Sequence, residues 1–164
     1  LKTVDQYEER YFLMRRVAKR HRSGLKIVTQ SMTWQAAATL PLCLLTPEMH
    51  NRFIVNNAFA TAGVVVKPVI ETNSILTLGL SALEGDVCSI MPGALVAELR
   101  AYGELEAVPL CGPEVLTAIG FMFAFTDRPT QAVRVALELA NNPEWLAQLR
   151  SHTGALQPLQ TPQS

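Results

Sequence analysis

A net charge of either sign is missing from this chain. Its 14 lysines and arginines are matched by 14 aspartates and glutamates, so the chain has no general basic field to attract nucleic acid. Any contact with DNA needs a local patch or a further domain. Cysteine is scarce: Cys43, Cys88 and Cys111 are odd in number, form no CxxC pair, and two of them sit in apolar strand-like runs. That pattern reads as buried reduced thiols rather than disulfides or zinc ligands, and points to a reducing, cytoplasmic compartment. No apolar run reaches the length of a membrane span, and no signal peptide is visible. The chain starts at Leu1 and reads like mid-domain sequence from the outset, so a fragment is expected.

Catalytic motifs are missing too. There is no GxGxxG, no Walker-type GK[ST], no GxSxG and no HExxH, which removes the common phosphate, nucleophile and zinc signatures. His21, His50 and His152 are isolated, and structural roles suit them better than catalytic or metal-binding ones. Glu8-Glu9, and Glu84 near Asp86, are adjacent carboxylates, but adjacency in a turn does not make a poised acid and base. No metal, cofactor or catalytic group is expected, and the chain does not read as an enzyme.

What is present is apolar sequence. At 49% hydrophobic and 17% charged residues over 164 positions, the chain is large enough to bury a core and too apolar for disorder. Residues 7–16 suit a strand, and a short helix follows at 33–38. The continuous apolar run over 40–45 suggests a strand buried on both faces, as in a parallel sheet. Helical periodicity over 48–62 stops at Gly63. Ile54, Val55, Ala58, Phe59 and Ala62 form one apolar arc of that helix. Met49, Phe53 and Ala60 fall on another side, flanked by Arg52 and Asn56, and this second patch wants a partner.

Alternation continues with a strand over 64–70, Pro68 arguing for its start or an edge, and a helix over 75–83 behind the capping residues Glu71-Thr-Asn-Ser74. A strand over 87–91 closes at Pro92-Gly93 and is followed by a helix over 94–102. Further strands are expected at 105–110 and 119–125. A helix starting at Asp127-Arg-Pro-Thr130 has Ala132, Val133, Ala136, Leu139 and Ala140 along one side. Asn142 caps a last short helix to Leu149, and the Gln- and Pro-rich tail from Thr153 is expected to be loose. Strands alternating with helices predict an α/β fold with a mostly parallel sheet.

Two features invite a binding role. Arg15, Arg16, Lys19, Arg20, Arg22 and Lys26 put six of the 14 basic residues into one stretch; without interleaved aromatics to stack bases, a solvated loop is favoured over a phosphate-binding patch. The strand-to-helix junctions Thr46-Pro47-Glu48-Met49 and Thr72-Asn73-Ser74 are polar. In an open α/β sheet such junctions gather at the carboxyl ends of the strands, where helix amino termini offer unpaired N–H groups to anions. Helix capping alone also explains Thr46, Asn73 and Ser74.

The succession Glu9-Arg-Tyr-Phe-Leu-Met, Leu40-Pro-Leu-Cys-Leu-Leu-Thr, Phe59-Ala-Thr-Ala-Gly63, Glu71-Thr-Asn-Ser and Gly85-Asp-Val-Cys-Ser-Ile-Met-Pro92 resembles the effector-binding domain of LysR-type transcriptional regulators. The resemblance covers nearly all of residues 1–149 and rests on order and spacing. It implies a fold like type II periplasmic binding proteins, with two α/β lobes and a small-molecule cleft between them. Residues 1–39 then hold the crossover strand and connecting loop from the first lobe, 40–104 the second lobe, 105–150 the return to the first, and 151–164 a flexible tail. Thr46, Pro47, Glu48, Met49, Asn73 and Ser74 fall where the family lines its effector cleft, with Phe121 on a returning strand as a further candidate. Met49, Phe53 and Ala60 become a dimer surface.

The resemblance therefore implies an effector-sensing and oligomerisation domain. Its partners are a small anionic or polar metabolite and a second copy in a homodimer or tetramer, with no membrane partner. DNA is reached only through a domain absent from this chain, since the winged helix-turn-helix and the first elements of the first lobe have no counterpart here. Asp86 stands where the family often has a second glycine. Two other readings share the architecture: a solute-binding protein of a transporter, which three cysteines without a signal sequence disfavour, and an α/β enzyme, which the missing catalytic constellation disfavours.

Overall fold

A computed structural model describes residues 1–124, 126 and 128–152. The predicted tail from Thr153, the strand end at Phe125 and the helix-start residue Asp127 lie outside the described residues. The organising element is a strand of 15 residues, β1 (Lys2–Arg16). Its apolar run Tyr11-Phe-Leu-Met14 is buried throughout because two strands flank it. β6 (Cys88–Pro92) and β7 (Leu105–Cys111) run antiparallel to it on either side, placing Leu13 opposite both Ile90 and Val108. The charged first half of β1 pairs instead with β8 (Leu116–Phe123), from Lys2 opposite Phe123 to Arg10 opposite Leu116, with a register shift between Asp5 and Tyr7.

The other strands are β2 (Lys26–Ile27), β3 (Met32–Thr33), β4 (Leu42–Leu45) and β5 (Ile70–Thr72). The main path of the sheet runs β2-β7-β1-β6-β4-β5, with β3 also on β7 and β8 also on β1. Among the described residues four pairings are parallel, β4 with β5 and β6, and β7 with β2 and β3; the antiparallel ones all involve β1.

Successive residues of a strand face opposite sides of the sheet, so a run apolar at every position needs cover on both. On one face Tyr11, Leu13, Leu42, Leu44, Val108 and Leu110 pack with α1 (Trp34–Ala37) and α2 (His50–Thr61). There the Trp34 and Phe59 rings meet edge to face at 5.1 Å, and the Trp34 indole N–H donates to the Pro113 carbonyl at 2.8 Å. On the other face Phe12, Met14, Cys43, Leu45, Met91 and Leu105 pack with α3 (Ile75–Ser81) and α4 (Gly93–Glu98). Each large side chain fully buried in these layers contributes about 1.5–3 kcal/mol. Two later helices, α5 (Gln131–Ala140) and α6 (Pro143–His152), lie against β1. The buried Gln6 ties them there, donating to the Ala140 carbonyl at 3.0 Å and accepting from the Trp145 indole at 2.9 Å.

Several predicted bounds move. The valine-rich stretch 64–70 is not a strand; only Ile70–Thr72 pairs, along β4. Val64 and Val66 lean on the core while Val65 is 99% exposed, and Pro68, which has no N–H to give, stands just before the pairing begins. Helix α2 starts at His50 rather than Glu48, because Met49 N–H closes a turn onto the Thr46 carbonyl at 3.0 Å. Helix α4 ends at Glu98 instead of Tyr102, and β8 starts earlier than the predicted 119. The basic loop carries the short strands β2 and β3, and its backbone is pinned by Val17, His21 and Leu25 N–H groups donating to Glu104, Gly103 and Arg100 carbonyls. Gly103 is required there, since a Cβ on it would sit 2.1 Å from the His21 carbonyl oxygen.

Candidate functional site

The parallel strands β4, β5 and β6 end on one side of the sheet, and three junctions meet there: Thr46–Met49 into α2, Asn73-Ser74 into α3, and Pro92-Gly93 into α4. The first two are joined directly, with the Thr46 N–H donating to the Thr72 carbonyl at 3.0 Å. Ser74 caps α3, its hydroxyl accepting from the Thr77 N–H at 3.2 Å, and the Ser74 N–H donates to the Thr72 hydroxyl at 3.0 Å. Helix α2 has no side-chain cap at Met49. The Thr46 hydroxyl, which capping would have engaged, is buried and makes no well-formed hydrogen bond. It lies near enough to the exposed Glu48 carboxyl to help hold that group below its usual range, after the larger effect of Glu48's own backbone N–H.

β1 contributes what the sequence reading missed. Glu9 is 6% exposed and stands beside the start of α4, where its carboxylate accepts from the Ala94 N–H at 2.9 Å. Burial pushes its carboxyl above the ordinary value, more strongly than the Ala94 hydrogen bond lowers it. Two residues on, the Tyr11 hydroxyl donates to Asn51 Oδ1 at 3.2 Å; burial and, secondarily, the Glu9 charge push the phenol up to about 12. Arg52 also departs from the sequence reading. Taken as a flank of an exposed patch, it is 6% exposed and bonded to Asn56, Glu71 and the Leu45 carbonyl.

Of the residues singled out in sequence, Thr46, Pro47, Glu48, Met49, Asn73 and Ser74 come together at this edge. Phe121 does not join them: it sits on β8 opposite Val4, half-exposed on the ribbon. Phe53 and Ala60 are exposed on α2, whereas Met49 is half-buried against the second core layer. In the basic loop Arg15 pairs with Glu106 at 2.5 Å and Arg20 with Glu104 at 3.2 Å, and Arg16, Lys19, Arg22 and Lys26 are exposed. A cavity of about 460 Å³ lies away from the junctions, along the β1–β8 ribbon between Asp5, Tyr7, Arg10, Leu116 and Arg150. It is an open groove beside one two-stranded ribbon. The junctions, with helix-start N–H groups and a buried hydroxyl that makes no well-formed hydrogen bond, are the better binding chemistry. Among the described residues no group of three His, Cys, Asp or Glu side chains is placed to hold a metal, and no helix is long and apolar enough to cross a membrane.

The LysR substrate binding domain family matches residues 13–142. The chain belongs to that family. A LysR substrate-binding domain has the type II periplasmic-binding-protein-like α/β fold, and the mixed sheet with helices on both faces is that fold. Solved LysR-family structures agree. CbnR, described as a LysR family transcriptional regulator, superposes with a TM-score of 0.57 at 18% identity, over 90% of this chain and 47% of that one. A hydrogen-peroxide-bound cysteine variant of OxyR from Corynebacterium glutamicum gives 0.62 at 17% identity, over 92% and 47%. The reduced OxyR regulatory domain from Pseudomonas aeruginosa gives 0.58 at 17% identity, over 85% and 64%. The chain thus spans about half the length of the full-length regulators it matches. No curated protein matches it in sequence.

Proposed function

We propose that this LysR domain senses a small anionic or polar metabolite held at the carboxyl edge of β4 and β5, and that it performs no catalysis. One observation carries the reading: the Thr46 hydroxyl, buried and without a well-formed hydrogen bond, sits where the Thr46–Met49 and Thr72–Ser74 junctions are joined. Burying a hydroxyl whose one neighbouring acceptor, the exposed Glu48 carboxyl, is poorly aligned with it is costly, so a site that keeps one is prepared for an oxygen or N–H from outside. Backbone donors at the start of α2, which has no side-chain cap, favour negative charge on that ligand.

In this reading the lobes divide as the resemblance implies: residues 40–104 form the second lobe, and 1–39 and 105–150 lead from and back to the first. Supporting this, β1 and β7–β8 are the segments that pass between the sheet and the ribbon. Ligand binding shifts the relative orientation of the lobes, and the shift passes through a homodimer or tetramer to DNA-binding domains outside this chain. Phe53 and Ala60, exposed on α2 with Met49 at its start, supply the dimer surface, and the regulator works in the cytoplasm.

The test is a thermal-shift screen of the chain against small carboxylates, amino acids and aromatic acids, repeated on Thr46→Ala. A ligand present at about 100 times its Kd stabilises by about 2.7 kcal/mol. A stabilising acid whose effect shrinks in Thr46→Ala supports the site; one that stabilises both proteins equally places the ligand elsewhere.

A further inference from the structure

The peptide unit between Leu45 and Thr46 is held at both of its polar ends. Its N–H, on Thr46, donates to the Thr72 carbonyl at 3.0 Å, and its C=O, on Leu45, accepts from the Arg52 guanidinium. The same guanidinium reaches Glu71 Oε1 at 2.7 Å and Asn56 Oδ1 at 2.8 Å. Glu71 lies opposite Leu44 in the β4–β5 ladder, one position before Thr72. One buried cation therefore ties the end of β4 to β5, the short strand at the edge of the sheet that otherwise depends on β4 alone. A planar guanidinium with donors fixed in a fork suits a site that must meet several acceptors at set angles. The space around it is filled: a void of about 10 Å³ remains among Leu44, Leu45, Asn51, Arg52 and Val55, no more than a single water needs.

We propose that Arg52 is a positioning residue of the effector site. By fixing the Leu45–Thr46 peptide and the register of β5, it aims the Thr46 hydroxyl and the Thr72–Ser74 turn at the same ligand. The proposal rests on reading these junctions as the effector site, and it reaches beyond that reading by assigning their geometry to a residue that faces away from solvent. Glu71 is the lesser partner, because its side chain is 43% exposed and water takes over part of its charge when Arg52 is removed. The Leu45 carbonyl loses its partner inside a filled space.

The deciding measurement is residue-resolved amide hydrogen exchange on the intact chain without ligand, comparing wild type with Arg52→Met, Arg52→Lys and Glu71→Gln. In Arg52→Met the Thr46 amide is expected to exchange at least about tenfold faster relative to amides of the β1–β7 ladder, the loss of a charge-assisted hydrogen bond setting that scale. Arg52→Lys, with one cationic group in place of the fork, is expected to restore part of the protection, and Glu71→Gln to disturb Thr72 more than Thr46. Should Arg52→Met fail to fold, the lysine and glutamine variants decide alone. If Thr46 and the ladder amides change by a common factor, Arg52 is a general stabiliser and the positioning role is wrong. A wild-type chain that binds no acid in the thermal-shift screen sinks the effector-site reading, while the exchange pattern still decides what Arg52 holds.

Discussion

Replacing Thr46 by valine is predicted to make the ligand-free domain more stable and a poorer binder. Valine keeps the branched shape of threonine and removes only the hydroxyl. That hydroxyl is buried, its one neighbouring acceptor, the exposed Glu48 carboxyl, makes no well-formed hydrogen bond with it, and a buried polar group left poorly satisfied costs up to about 1–3 kcal/mol. Thr46 as a residue is only half-buried, so the gain belongs in the lower part of that range, about 1–2 kcal/mol. For a chain of this size it corresponds to a rise in Tm of about 2–8 °C. Urea unfolding of wild type and Thr46→Val, followed by far-UV circular dichroism, reads the sign directly, with an unchanged m-value showing that the same surface is exposed. The Glu48 carboxyl, which the Thr46 hydroxyl helps to hold low, should move back toward its ordinary range in the variant. A variant less stable than wild type would mean that the hydroxyl is satisfied in solution, and the argument for a prepared binding group would fall with it.

Phe53 is 59% exposed on α2, so Phe53→Asp is predicted to leave the fold intact and turn a dimer into a monomer in sedimentation velocity; an unchanged sedimentation coefficient excludes this face. Glu9 has its carboxyl raised above 4.5 by burial. The folded state thus holds its proton more tightly than the unfolded one, and this group's contribution to stability, full below pH 4.5, is lost as pH climbs through the folded value. Glu9→Gln, whose amide oxygen can still accept from the Ala94 N–H, should be favoured over wild type increasingly as pH rises. Urea midpoints at about pH 4 and about pH 7 test this, and an equal difference at both refutes it. The Cys43 and Cys88 thiols are buried, and burial pushes both above their ordinary range, so a thiol reagent should modify Cys111 first in the native chain and reach the other two only on unfolding. Rapid labelling of Cys88 would show that β6 opens readily.

How much of this was legible in sequence depended on how local the cause was. Leu42–Leu45 and Cys88–Met91 were readable as strands because a run apolar at every position has few uses other than burial on both faces. Ser74 and Asn142 were readable as caps because a cap acts within three residues; the Asn142 side chain accepts from the Glu144 and Trp145 N–H groups. The valines of 64–70 misled because a strand needs a partner as well as a preference, and β4 offers its edge only beyond Pro68. Glu9 and Arg52 were missed for a shared reason. Their charge is visible in the sequence, but their burial is imposed by residues far along the chain, Ala94 for one and Glu71 for the other. The junction residues themselves were legible from type and order, and Phe121 lies on the ribbon because β8 pairs with the first half of β1, a distant partner that nothing local to β8 reveals.

The position of β1 also bears on how the chain must be made. Among the described residues the earliest strand to pair with it is β6, beginning at Cys88, and its opening residues wait for β8. Until those strands are made, Tyr11-Phe-Leu-Met14 lacks its flanking strands β6 and β7, and an unpaired apolar strand on a growing chain is open to capture by another. Closing such distant pairs is also slow compared with local contacts. A cell making this domain therefore has to shelter its central strand until β6 and β7 are made, and expression yield should depend on chaperone supply more than the stability of the finished fold suggests.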